Sequence, residues 1–360
     1  MSFSNIIKRK NKLLLPFSWV YKAGVVLHHK FYEWGLKQTE KPALPLICVG
    51  NLAVGGTGKT PMVEYLLRLL TPNYKVATIS RGYKRKSKGV VIANDETRFT
   101  EIGDEPMQFH TKFPQAKIVV GEKRINAINE LMQQFPATDV IILDDAFQHK
   151  AVQAGLNILL TEYDNLFTND YYLPAGQLRD LKGNYKKADI IIVTKCPETL
   201  TMDEKHQLRH QIKPLNHQTI YYTSIRYGEP VHISTNISTH LTSVKNVLLI
   251  TGIANPEPLI AYLKRHDISL KVNSFADHHQ FNQSDINHLK KSFHNINGDN
   301  KIIITTEKDA MRFKQFQSGL EGLPFFAIPI EHNFLFNEAQ SFNDKILLFI
   351  KNKNNYAKEK

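Results

Sequence analysis

Residues 46–70 read LICVGNLAVGGTGKTPMVEYLLRLL, and few backbone arrangements accommodate such a run. Leu46, Ile47, Cys48 and Val49 form a short apolar segment of the kind that builds a buried parallel strand. Gly55, Gly56 and Gly58 then crowd a turn, and Lys59-Thr60 open an amphipathic helix bearing Val63, Leu66, Leu67 and Leu70. Glycines between a strand and a helix let backbone N–H groups converge on phosphate oxygens, and the helix N-terminus adds partial positive charge. The loop positions are Ala53, Val54, Gly55, Gly56, Thr57, Gly58, Lys59 and Thr60, with Lys59 spaced to reach terminal phosphates and Thr60 to hold Mg²⁺. The pattern G-x-x-x-x-G-K-[ST] departs at one place, where Ala53 stands for Gly. A methyl group there is a small steric change. The alternative is a glycine-rich loop with no ligand, and the strand–loop–helix context weighs against it. The stretch implies nucleoside triphosphate binding.

The length of 360 residues suggests about two domains. Only Cys48 and Cys196 occur, each in or beside an apolar run, so neither a disulfide framework nor a zinc spacing can be built. The net charge is +12, but residues 1–41 hold eight Lys/Arg and two Glu, or +6. That concentration argues against a nucleic-acid surface spread over the whole chain and favours a basic N-terminal device.

Lys8, Arg9, Lys10 and Lys12 open the sequence, and about fifteen mostly apolar residues follow, interrupted by Pro16 and Lys22. This run falls short of the ~20 residues of a spanning helix. It also lacks the small-residue cleavage site of a signal peptide. From Val20 a helical face carries Val20, Leu27, Phe31 and Trp34 against Lys22, Lys30, Glu33 and Lys37. Such a helix either packs on the protein's own core or lies on a membrane surface, and the absence of acids from the first 32 residues favours the membrane.

Beyond the loop, strands alternate with helices: strands at 75–80, 118–120, 139–143, 156–160 and 190–194, with a helix at 123–134. The pattern predicts a doubly wound parallel α/β sheet. Around 215–245 the texture becomes that of antiparallel strands, and a second α/β run follows, closed by a helix near 338–351. The expected organisation is 1–40 a membrane-docking segment, 41–215 a P-loop core, 216–245 a two-stranded linker, 246–352 a smaller α/β lobe and 353–360 a polar tail.

Asp144-Asp145 ends a predicted buried strand, where ligands bind in open α/β sheets and where a P-loop enzyme needs carboxylates for Mg²⁺. His149 either pairs with them or sits in the loop. Asp104, in Gly-Asp-Glu-Pro, is either a helix N-cap or a base. Asp277-His278-His279 follows another predicted strand; an Asp/His pair suits proton transfer or metal binding, and a surface turn is the plain alternative.

Seven motifs occur in order: GNLAVGGTGKTP (50–61), SRGY (80–83), GDEP (103–106), LDDAFQH (143–149), LPAGQLRD (173–180), FADHH (275–279) and TTEKDA (305–310). Each is weak alone; together, spanning about residues 46–312, they resemble the tetraacyldisaccharide 4′-kinase family of lipid A biosynthesis. The resemblance implies a P-loop core joined by a two-stranded linker to a smaller α/β lobe, and an N-terminal membrane-docking segment. It implies transfer of the γ-phosphoryl of ATP to the 4′-hydroxyl of a tetraacyldisaccharide 1-phosphate. By the family's motifs Asp104 would be the base, assisted by His278 of the Asp277-His278 pair. Thr60, Asp144 and Asp145 would serve Mg²⁺, and Arg81, Arg124 and His149 are candidates for the substrate. The basic loop Arg81, Lys84, Arg85, Lys86 and Lys88 either meets the substrate's 1-phosphate or is simply solvated. Three positions depart from the family's pattern: Ala146 for Gly, Ala276 for Pro, and Asp180 for Glu, the last shortening any carboxylate reach at 180.

ATP is the expected nucleotide, because Thr194-Lys195-Cys196-Pro197 lacks the Asp of a guanine-reading N-K-x-D. The expected setting is a peripheral monomer on the cytoplasmic face of the inner membrane, with an anionic membrane surface and a glycolipid as partners and no nucleic acid. Two rivals are a membrane-associated P-loop ATPase switch and a DHH-type phosphoesterase. The first wants a lysine where Val54 stands, and the second needs Asp/His clusters that do not precede the loop.

Overall fold

The computed structural model describes residues 10–358, so Lys8, Arg9 and the last two residues of the expected polar tail lie outside it. The chain divides into two units, Met1–Arg226 with Glu331–Lys360, and Tyr227–Ile330.

The first unit is built on a nine-stranded sheet. Its strands are β1 (Leu46–Asn51), β2 (Val76–Ser80), β3 (Val91–Ile92), β4 (Lys117–Val120), β5 (Val140–Asp144), β6 (Leu156–Glu162), β7 (Ile190–Thr194), β8 (Thr219–Tyr227) and β14 (Ile330–Phe334), in the order β14-β8-β7-β6-β1-β5-β2-β4-β3. β1 runs parallel to β5 and β6, and β2, β4, β7 and β8 extend the parallel set. All six residues of β1 are buried. Ile47 and Val49 pack with Met62, Val63, Leu66, Leu67 and Leu70 of helix α2 (Lys59–Leu70), whereas Leu46 and Cys48 pack on the opposite face with Ala127, Ile128 and Leu131. Successive side chains of a strand point to opposite faces, so a strand with helices on both sides must be apolar throughout. Each such buried aliphatic side chain contributes about 1.5–3 kcal/mol.

The second unit has a five-stranded sheet in the order β11-β10-β12-β13-β9, from β9 (Val231–His232), β10 (Asn246–Thr251), β11 (Ser269–Ser274), β12 (Lys301–Thr306) and β13 (Phe325–Ile328). Four of these strands are parallel, and β9 closes the edge antiparallel to β13.

The boundaries differ from those expected. β8 belongs to the large sheet rather than to a linker at 216–245, and the chain leaves the first unit along β8 and returns along β14 beside it. Hence the C-terminal helix (Ala339–Lys358) belongs to the first unit, not to a lobe at 246–352, with Phe342, Ile346 and Ile350 in the core that also holds Ile47. The helix continues through most of the expected tail.

Helix α1 (Leu15–Glu33), which precedes α2 in the chain, is held to the first unit through polar contacts. The Ser18 hydroxyl donates to Tyr172 O at 2.8 Å and accepts from Ala175 N at 3.0 Å, Tyr21 Oη donates to Arg179 O at 3.1 Å, and His29 Nε2 meets Asp180 Oδ1 at 2.9 Å. The expected apolar side is divided: Val20, Leu27 and Trp34 face outward, joined by Phe17 and Trp19, and Phe31 is half-buried. Among the described residues no helix is long and apolar enough to cross a membrane.

Candidate active site

The loop after β1 is fixed from behind by buried polar side chains. Asn51, the last residue of β1, donates from Nδ2 to Thr57 Oγ1 at 2.9 Å. Thr194, at the end of β7, donates to Thr57 O at 2.9 Å, and His332 of β14 donates from Nε2 to Gly58 O at 2.8 Å. Gly55 and Gly58 have φ of +111° and +87°, where a side chain would be strained. Ala53 needs no such freedom: it bridges Leu178 antiparallel, and Val54 N donates to Gln177 O at 2.8 Å. That pairing explains how alanine replaces the usual glycine.

Asp144 ends β5 and Asp145 follows it at φ +48°, a left-handed conformation that Asp tolerates better than most residues. The two carboxylates have different surroundings. Asp145 accepts from Arg179 Nη1 at 3.1 Å and from Arg179 Nη2, and Lys59 Nζ stands 3.7 Å away. Burial pushes the Asp145 carboxyl up, but Lys59 and Arg179 outweigh it and hold it below its ordinary value. Asp144 is 6% exposed, and its carboxyl is pushed up to about 7 by burial and by the charges of Glu105 and Asp145. A carboxylate so placed calls for a cation.

Arg179 also donates to Asn51 Oδ1 at 2.6 Å, so it ties the residue that leads into the loop to Asp145. Neither Arg179 nor Asn51 stood among the expected site residues, although both lie inside the seven motifs. The unused signal was an arginine within the LPAGQLRD segment, the type of residue that pairs bidentately with a carboxylate.

Arg124, the first residue of a helix (Arg124–Gln134), is buried; its Nη1 donates to Gly121 O at 2.7 Å while its Nε has no hydrogen-bond partner among the described residues. Burial lowers its pKa, and Asp144 and Asp145 oppose the shift. His149 does not pair with the carboxylates: its Nε2 is buried without a partner among the described residues, and burial with the charges of Arg124 and Arg81 lowers its pKa to about 4. Arg81 is exposed just beyond β2. Arg85, in the same basic loop, is bound to Gly89 O and Glu122 at 2.5 Å each, so it serves the loop's own structure. Asp180 Oδ1 takes His29, and Oδ2 has no hydrogen-bond partner among the described residues.

Asp104 begins a helix (Asp104–Lys112) whose N-cap is Gly103, at φ +94°. The cap reading of Asp104 is therefore corrected: it is the first helical residue, and the chain turns on glycine because a Cβ at 103 would come within 2.9 Å of Tyr83 O. Glu64 of α2 anchors this helix, accepting from Gln108 Nε2 at 2.7 Å and Lys112 Nζ at 2.5 Å.

In the second unit, His278 has φ +59° and its Nε2 lies 4.0 Å from Asp277 Oδ1. Its Nδ1 is 3.2 Å from Arg312 Nη2. Guanidinium cannot accept, so Nδ1 does, and a neutral His278 carries its proton on Nε2. Arg312 is held in turn by Asp309 at 2.8 Å. His279 pairs with Asp285 instead, at 2.9 Å.

Among the described residues no three His, Cys, Asp or Glu cluster as a metal cage. Mg²⁺ takes hard oxygen donors, one or two carboxylates with water and phosphate oxygens, and the Thr60 hydroxyl and the Asp144 and Asp145 carboxylates are donors of that type.

Similarity to known proteins converges on one family. The profile described as tetraacyldisaccharide-1-P 4′-kinase matches residues 10–351. The tetraacyldisaccharide 4′-kinase of Bacteroides thetaiotaomicron is 42% identical over 355 residues, covering 95% of this chain and 93% of its own length. That of Flavobacterium johnsoniae is 39% identical over 341 residues, with 94% and 97% covered. The crystal structure of LpxK from Aquifex aeolicus in complex with ATP superposes with a TM-score of 0.73 at 25% identity, covering 94% of this chain and 98% of that one.

Proposed function

The chain belongs to the tetraacyldisaccharide-1-P 4′-kinase family, and from that premise we propose that it transfers the γ-phosphoryl of ATP to the 4′-hydroxyl of a tetraacyldisaccharide 1-phosphate in lipid A biosynthesis. The observation that carries the reading is the loop Gly55–Gly58, braced from behind and set beside Lys59, Asp144 and Asp145 at the strand ends.

In this reading the loop amides and Lys59 bind the β- and γ-phosphates, and Asp104 accepts the proton of the 4′-hydroxyl as its oxygen bonds to the γ-phosphorus and ADP leaves. Thr60 and Asp144 would hold Mg²⁺, with Asp145 next to them in the chain. Asp145 is already matched by Lys59 and Arg179, whereas Asp144 has the unmet need for a cation. When bound, the ion neutralises charge on the transferring phosphoryl group. Arg81, Arg124 and His149 contact the anionic substrate. Asp277 and His278 form an acid–base pair in which His278 Nε2 is the proton-bearing atom. Since only placement and neutralisation of charge are required, no covalent intermediate enters.

The acceptor is a glycolipid, so the enzyme works at an anionic membrane surface as a peripheral monomer, on the cytoplasmic side where ATP is available. Exposed Phe17 and Trp19 on α1, together with Lys10, Lys12, Lys22 and Lys30, support that placement. The test is to supply ATP, Mg²⁺ and a lipid A precursor disaccharide and look for phosphate at the 4′ position. Lys59→Ala is expected to lower the rate by orders of magnitude; a wild-type rate in that variant sinks the proposal.

A further inference from the structure

His332 lies outside all seven motifs and outside the proposed chemistry, yet it touches the phosphate loop. It sits on β14, 5% exposed, with Nε2 2.8 Å from Gly58 O and Nδ1 2.9 Å from the Thr223 hydroxyl of β8. A carbonyl only accepts, so Nε2 carries the proton and Nδ1 accepts from Thr223. The imidazole fills the space beside Gly58: a Cβ there would lie 3.0 Å from its ring atoms.

The direction of that bond matters. In a trans peptide the C=O and the following N–H point in opposite directions. Thr194 draws back the carbonyl of Thr57, which turns the Gly58 N–H forward; His332 draws back the carbonyl of Gly58, which turns the Lys59 N–H forward. Converging amides of this kind are what bind a phosphate. Met62 N also reaches Gly58 O, at 3.2 Å, as the first helical bond. His332 adds a constraint on Gly58 O from outside the helix, and it fastens the loop to β14.

We infer that His332 is a positioning residue for ATP: it presets the Lys59 amide and the start of α2 before nucleotide arrives. This rests on the reading of residues 55–60 as the triphosphate loop. A ligand loop set in advance binds without the ordering cost that a loose loop incurs.

The test uses the full chain and compares His332→Leu, which removes the donor, with His332→Gln, whose amide can donate to Gly58 O in its place. ATP affinity with Mg²⁺ is measured by calorimetry, alongside KM for ATP, KM for the disaccharide acceptor, kcat and the melting temperature. His332→Leu is expected to raise Kd and KM for ATP about tenfold and to leave KM for the acceptor unchanged. His332→Gln should return ATP affinity to within about twofold of wild type, whatever its melting temperature. Wild-type ATP affinity in His332→Leu, or equal losses in the Leu and Gln variants, overturns the inference. Failure of the unaltered protein to bind ATP overturns the loop reading itself, so the two failures are distinguishable. Should His332→Leu not fold, Thr223→Val tests the ring from its other side: about threefold weaker ATP binding is expected, and unchanged binding overturns the inference.

Discussion

Asp144 carries its negative charge against the preference of its surroundings. Its folded pKa of about 7 lies above the ordinary carboxylate value, so between pH 4 and 7 the native state holds more protons than the unfolded chain. The sign follows: in the absence of metal, Asp144 lowers stability as pH rises through that window, and the loss is complete above 7. Asp144→Asn should therefore raise the melting temperature at pH 8, on the order of 5 °C, while removing most activity. A lowered melting temperature at pH 8 contradicts this account of Asp144. The strand-end position of Asp144-Asp145 was legible in the sequence, because an apolar run that stops abruptly at two acids marks where a buried strand emerges beside a ligand. The difference between them was not, since it depends on Arg179, thirty-four residues away, bonding one and not the other. His332 was less legible still. A lone histidine in a short, half-polar strand carries no signal until the pairing of that strand is known.

At the level of elements, the P-loop helix and the helix that begins at Asp104 are joined by one buried acid. Glu64 is 2% exposed and accepts from both Gln108 and Lys112, on the helix whose first residue is the proposed base. Glu64→Ala strands those donors and is expected to cost about 2–3 kcal/mol in denaturant unfolding. Turnover should fall with it, while Glu64→Gln, which keeps an acceptor for Gln108, should retain more of both. Equal behaviour of the two variants is the outcome that excludes the anchoring role. Periodicity exposes the apolar stripe of α2 but not Glu64, a charge on a face that would ordinarily be apolar. Strands β1, β2, β5 and β7 were readable because each is an apolar run bounded by turn residues. β14 was not read as a strand and fell inside the expected lobe at 246–352, because hydrogen-bonding partners a hundred residues apart leave no trace in local pattern.

For the whole molecule, the outer surface of α1 makes the clearest demand. Phe17, Trp19 and Val20 are 64%, 69% and 74% exposed, while the helix is held down by Ser18, Tyr21 and His29. Burying those three side chains in an interface would contribute about 1.5–3 kcal/mol each. Phe17→Ser with Trp19→Ser should lower sedimentation with anionic vesicles at least tenfold and leave kcat on detergent-dispersed acceptor near wild type. Raising salt should weaken vesicle binding of the unaltered chain, as screening reduces the basic contribution. Vesicle binding that ignores both changes places docking elsewhere. The last consequence belongs to β8 and β14. Their cross-bonds, Leu335 N to Tyr222 O and Gly228 N to Pro329 O, both at 2.9 Å, pair rising numbers on one strand with falling numbers on the other, so the two are antiparallel neighbours that meet at 228 and 329. Topologically, residues 227–330 are a guest grafted into a hairpin of the host. A two-residue turn in their place would close that hairpin without disturbing the order of the host's strands, so the chain can be divided into host and guest by surgery at a single seam.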